Sequence, residues 1–165
     1  MLIKKIPLLG LMLAIILVLT TLEATLTPLL PLHTKPGLAN VVVMFCLFSL
    51  GRREAVLLNV LKSLFVLITR GPMAGLLSLC GGLLSIAVII ALSSKKQSYS
   101  FISVSGAVTH NLGQVTIAAI IMSTPLIFYY LPTLIISGLL TGLLTATLLK
   151  TLLATKMSKK QPPQE

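Results

Sequence analysis

The chain has 165 residues, of which 56% are hydrophobic and 10% charged, and it carries a formal net charge of +10. That balance excludes a water-soluble globular domain. Thirteen residues are Lys or Arg, the three acids are Glu23, Glu54 and Glu165, and aspartate is absent; mechanisms built on paired aspartates are therefore excluded, and too few carboxylates remain for a Mg or Ca cage.

Taken in chain order, the stretches between charges mark the expected helices. Lys5 and Glu23 enclose an apolar run over 6–22, close to one membrane span. Lys4 and Lys5 ahead of it resemble a signal peptide, but no A-x-A site follows Thr21, so an uncleaved first helix is expected. Gly10 and Ala14 form a small-xxx-small pair on it, a smooth face that another helix can approach. The connection from Thr25 to Asn40 contains Pro28, Pro31, His33, Lys35, Pro36 and Gly37. So much proline fits either a rigid cap over an outward cavity, with Asn40 just beneath it, or a solvated loop. A second span is expected over 36–51.

Glu54 to Thr69 is apolar apart from Asn59, Lys62 and Ser63, and reads as a further span carrying a buried cation. A surface amphipathic helix there would leave one span fewer and put the termini on opposite sides. The next span lies over 71–94. From Gln97 to Leu149 no formal charge occurs; at about 1.5 Å per residue this is roughly 80 Å of helix against a hydrocarbon core of about 30 Å, so it holds two spans. Pro125 and Pro132, with Ser123 and Thr124 beside them, supply the turn. The expected fold is therefore an all-α integral membrane bundle of six transmembrane helices over 1–155, followed by a basic, disordered cytoplasmic tail over 156–165.

Charge placement orients it. With a cytoplasmic amino terminus and six spans, both termini are inside together with Lys4, Lys5, Arg52, Arg53, Lys95, Lys96, Lys150, Lys156, Lys159 and Lys160, while Lys35 and Arg70 are outside. The net charge is thus topological. Three Tyr and no Trp are poor material for a nucleic-acid surface. Cys46 and Cys80 lack CxxC spacing and read as small buried hydrophobes.

Polar side chains inside hydrocarbon are functional candidates by default. His110, Asn111 and Gln114 cluster in one apolar run; His110 and Gln114 lie one helical turn apart on the same face, with Gly106 and Gly113 nearby. They suit either ligand contacts or interhelical hydrogen bonds. Lys62, with Asn59 three residues before it, either gives positive charge to an anionic or carbonyl-bearing ligand or pairs with Glu23 or Glu54. Arg70 reads as a headgroup anchor. His33 and His110 have no carboxylate or thiolate placed to complete a metal site, so no cofactor is expected.

The runs Lys35-Pro36-Gly37-Leu38-Ala39-Asn40, Leu77 to Ser85, Gly106 to Gln114 and Phe128-Tyr129-Tyr130-Leu131-Pro132 resemble the Gx transporter family over roughly residues 5–150. That family is also catalogued as heptaprenyl diphosphate synthase component I and is similar to the substrate-binding S components of energy-coupling factor transporters. The resemblance implies a plasma-membrane bundle of six helices that holds a small molecule near its outer face. It docks through small residues of the first helix, here Gly10 and Ala14, on a transmembrane coupling subunit, with ATP-binding-cassette subunits beneath. The implied ligand positions are Lys35, Asn40, Lys62, His110, Asn111 and Gln114. Pro36 stands where the family has an aliphatic residue and Lys62 where it has arginine, and lysine cannot make a planar two-pronged contact.

The chain is expected to be no enzyme: prenyl elongation needs magnesium on aspartates, and no Walker-type Gly-Lys-Ser/Thr motif is present. A non-catalytic accessory subunit for prenyl diphosphate or quinone synthesis is the alternative. A stand-alone secondary transporter is disfavoured, because Glu23 and Glu54 both lie near span ends.

Overall fold

A computed structural model describes residues 2–27, 37–95 and 97–158. The described residues form six α-helices and one 3-10 helix: α1 (Leu2–Leu26), α2 (Leu38–Ser49), α3 (Arg52–Arg70), α4 (Pro72–Ser93), α5 (Tyr99–Ile121), a 3-10 turn over Pro125–Tyr130, and α6 (Leu131–Ser158). Four of these segments, Lys5–Leu26, Pro72–Ser93, Tyr99–Ile121 and Pro125–Thr155, are long and apolar enough to cross a membrane. The distribution of polarity agrees with a lipid surround. Ile6, Val18, Ile120 and Leu140 are exposed, whereas Glu23, Asn59, Lys62, Ser63, Ser78, Ser85 and Ser103 are buried. Such a chain is a multi-pass membrane protein.

The uncharged stretch after Gln97 divides where its prolines lie. Ser123 takes a positive φ of 50°, and Pro125 opens the 3-10 turn that leads into α6. The segment over 36–51 departs from expectation, because α2 has only 12 residues, about 18 Å of helix. Gly37, at φ 71°, makes a left-handed turn that L-residues with a Cβ rarely adopt, and so sets the start of α2. Glu23 on α1 holds that start in place: its Oε1 accepts the Ala39 N–H at 3.0 Å, putting a carboxylate at the positive end of the α2 dipole.

α3 is joined to α2 by a tight turn at Gly51, with 19 residues against 12, and so extends about 10 Å beyond it. Its buried residues Ala55, Leu58, Asn59, Lys62, Ser63 and Val66 recur at helical spacing. The stripe is partly polar, and two of its polar members, Lys62 and Ser63, reach partners on neighbouring helices. Ser63 Oγ and Ser78 Oγ are 3.2 Å apart. At the far end of α3, Lys5 Nζ donates to Glu54 Oε1 at 2.7 Å, Arg52 Nη2 to Ser94 Oγ at 2.9 Å and Lys150 Nζ to Ser100 Oγ at 3.0 Å. That end of the bundle therefore gathers basic residues from α1, α3 and α6.

α4, α5 and α6 pack backbone to backbone through glycine. A Cβ on Gly142 would come within 2.6 Å of the Val104 Cα, and one on Gly81 within 2.7 Å of the His110 carbonyl oxygen. Ser85 Oγ adds a 2.8 Å bond to the Gly106 carbonyl. Gly10 on α1 differs: among the described residues nothing lies within 4 Å of its added Cβ. Gly142→Leu is accordingly expected to lower the thermal midpoint of the detergent-solubilised protein, by the equivalent of about 1–3 kcal/mol. Gly10→Leu is expected to leave that midpoint within about 0.5 kcal/mol of wild type. Glu23→Ala removes the acceptor at the start of α2 and is expected to cost about 1–2 kcal/mol, most of it restored in Glu23→Gln, which keeps an acceptor oxygen; thermal unfolding of the three proteins checks this.

Candidate ligand-binding cavity

Because α2 stops short, the space above its first turn is not filled by that helix, and a cavity of about 410 Å³ lies there. Its walls come from all six helices. α1 contributes Thr20 and Glu23, the start of α2 Gly37 and Asn40, and α3 Lys62, Val66 and Arg70. Across from them, α4 presents Met73, Ala74, Leu77 and Ser78, α5 presents Ala107, His110, Asn111 and Gln114, and α6 presents Thr141. The volume falls in the usual range for small-molecule sites, and apolar walls with a few convergent polar groups are their usual chemistry.

Lys62 is buried at the level of α2's first turn, where its Nζ donates to Asn40 Oδ1 at 2.6 Å. This bond is short because one partner is charged. Arg70 stands two turns further along the same face of α3, and its Nη2 donates to the Thr20 carbonyl oxygen. On α5, Asn111 Nδ2 donates to the Leu134 carbonyl at 2.8 Å, which ties α5 to the first turns of α6. His110 and Gln114 reach the cavity beside Gly81, whose missing side chain lets that face of α5 lie directly on α4. Together the walls offer amide, hydroxyl, imidazole, ammonium and guanidinium groups over a partly apolar lining.

The structure brings Asn40, Lys62, His110, Asn111 and Gln114, from three helices, to this one cavity. Lys35 lies outside the described residues, as do His33, the prolines at 28, 31 and 36, and residues 159–165 of the tail expected over 156–165. Gly10 and Ala14 are away from the cavity, on the exposed face of α1. Arg70 lines the cavity, although its place at a helix end reads like a headgroup anchor; its spacing of eight residues from Lys62, through Val66, was the available signal. Thr20, Ser78 and Thr141 carried no signal, since hydroxyls are common on membrane helices and bond their own backbone. Among the described residues no group of three His, Cys, Asp or Glu could hold a metal ion.

Comparison with known families gives a match to the family described as heptaprenyl diphosphate synthase component I, over residues 12–152. That range includes every described residue of the cavity wall. No curated protein and no solved structure matches the chain. With most of its length matched, the chain belongs to the heptaprenyl diphosphate synthase component I family.

Proposed function

We propose that this protein is the membrane-embedded substrate-binding subunit of an energy-coupling factor type importer, which takes a small molecule from the outer side into the cavity above α2. The observation that carries this reading is the convergence of Asn40, Lys62, His110, Asn111 and Gln114 on one cavity. Orientation supports it. Lys5, Arg52, Arg53, Lys95 and Lys150 share the end of the bundle opposite Arg70, and the positive-inside rule makes that basic end cytoplasmic. Six spans then leave both termini in the cytoplasm and the cavity in the outer half of the plasma membrane. The outward face of α1 supports a docking role. Gly10 and Ala14 are exposed there, and the open space around Gly10 lets a partner helix come close. In this assembly a transmembrane coupling subunit meets α1, and ATP-binding-cassette subunits supply the hydrolysis.

The family's printed description favours a second reading, a non-catalytic membrane subunit associated with a prenyl diphosphate synthase chain. In that case the cavity receives an isoprenoid intermediate rather than an imported solute.

Gentle solubilisation of the tagged chain from its native membrane, with identification of the co-purifying proteins, separates the two. The expected companions are a coupling subunit and two ATP-binding-cassette subunits; a synthase chain without them would establish the second reading instead. Gly10→Leu is expected to abolish that association while leaving the midpoint of the isolated protein unchanged. His110→Ala and Gln114→Ala are each expected to lower uptake of the ligand released from the purified protein by about 10-fold, with membrane insertion intact. Wild-type uptake by both variants would remove these residues from the site.

A further inference from the structure

The described walls of the cavity carry two basic side chains, Lys62 and Arg70, and one carboxylate, Glu23. The carboxylate is already engaged: its Oε1 accepts the Ala39 N–H at 3.0 Å, so its charge offsets the positive end of α2. A second helix end meets the cavity without such an acid. Met73 and Ala74, in the first turn of α4, line the cavity, and no side chain caps that helix at Gly71. The positive end of the α4 dipole therefore adds to the two cations.

Thr20 supplies a separate observation at the same wall. It is 4% exposed, and its Oγ1 is buried with no hydrogen-bond partner among the described residues. Its own carbonyl accepts from Arg70, so hydroxyl and guanidinium are neighbours. A buried hydroxyl left without a partner is unfavourable, and a ligand that bonds it removes that penalty. Arginine's planar fork matches a carboxylate or a phosphate, and a guanidinium at the rim of a low-dielectric space attracts an anion strongly.

Resting on the capture reading above, we infer that the occupant is a small organic anion. Its acid group, carboxylate or phosphate, seats at Arg70, the Thr20 hydroxyl and the first turn of α4. Its body lies along Val66 and Leu77 toward Lys62 and Asn40.

The test is thermal unfolding of the full chain in neutral detergent. The chain has no Trp, so in a Cys80→Ala background, which removes the partly exposed second thiol, a thiol-reactive dye follows the exposure of Cys46, which is fully buried in the fold and outside the cavity wall. The probes are inorganic phosphate, phenylacetate and the neutral amide phenylacetamide, at equal ionic strength. The anions are expected to raise the midpoint by about 3 °C at roughly tenfold excess over Kd, and the amide by less than about 1 °C. Arg70→Gln is expected to remove the anion effect, and Lys62→Met to reduce it if that protein folds; Lys95→Gln, at the opposite end, is expected to leave it intact. No anion effect, an equal rise with the amide, or an anion effect that survives Arg70→Gln would each overturn the proposal.

The outcomes separate this proposal from the capture reading. A rise equal for amide and anion, lost in Gln114→Ala, leaves a binding subunit for a neutral molecule. An Arg70-dependent anion effect in a protein that co-purifies with no coupling subunit leaves the anion site and removes the importer. A further arm compares phosphatidylglycerol with phosphatidylcholine nanodiscs. An Arg70-dependent rise without added anion identifies the acid group as a lipid phosphate, and dependence on added anion alone identifies a free solute.

Discussion

An ammonium inside a membrane bundle is the constraint from which the rest of this structure follows. Lys62 is buried in the middle of α3, where hydrocarbon offers a charge nothing, so protein groups or a polar space must meet it. Asn40 meets it at 2.6 Å, and Asn40 is available because α2 begins at that depth. α2 begins there because Gly37 takes a left-handed turn and Glu23 receives the Ala39 N–H. The short helix that satisfies the lysine is thus also the one that leaves room above it. Cavity and buried charge have a common cause.

The helices around this feature are held in two different ways. On the side of α4, α5 and α6, glycine brings backbone against backbone, as at Gly81, Gly138 and Gly142, and dispersion over a close interface does the work that water-driven burial does in soluble proteins. On the side of α1, α2 and α3, larger apolar side chains such as Met12, Ile16, Val43 and Leu58 fill the core, and polar side chains tie its two ends, with Lys5 to Glu54 at one and Arg70 to the Thr20 carbonyl at the other. Each wall of the cavity belongs to one of these two groups. A ligand between them touches residues positioned on one side by glycine-mediated backbone contact and on the other by side-chain packing with polar ties at its ends.

How much of this is legible in the sequence depends on what kind of information decides each element. Spans ended by charges are plain, and α1, α4, α5 and α6 fall where Lys5, Arg70, Lys95 and Pro125 imply. The polar cluster of α5 is equally plain, because an imidazole and two amides stand out in an apolar run. The length of α2 is not, since nothing apolar between 38 and 51 marks where the helix must begin, and the turn at Gly37 is a backbone property. The contact between Lys62 and Asn40 is not legible either: charge points to Glu23 or Glu54, and nothing in the sequence pairs it with Asn40, which the hairpin places at 2.6 Å. Arg70 shows the same limit. Its chemistry is obvious and its address is not, because whether a residue at the end of α3 meets headgroups or a cavity is set by the neighbouring helix that is two turns shorter.

The polar stripe of α3 also bears on how the chain enters a membrane in the first place. A lysine at a helix centre raises the free energy of insertion by about 2.5–3.5 kcal/mol, and an asparagine one turn away adds to it. Among the described helices, α3 is the one of full length that does not qualify as a span on its own hydropathy. Its polar stripe is met by its neighbours: α2 before it, carrying Asn40, and α4 after it, carrying Ser78 and Gly82. The tight turns at Gly51 and Gly71 keep both within reach. The same polar side chains that shape the cavity thus keep α3 from qualifying as a span by itself, and its place in the bundle rests on the helices packed against it.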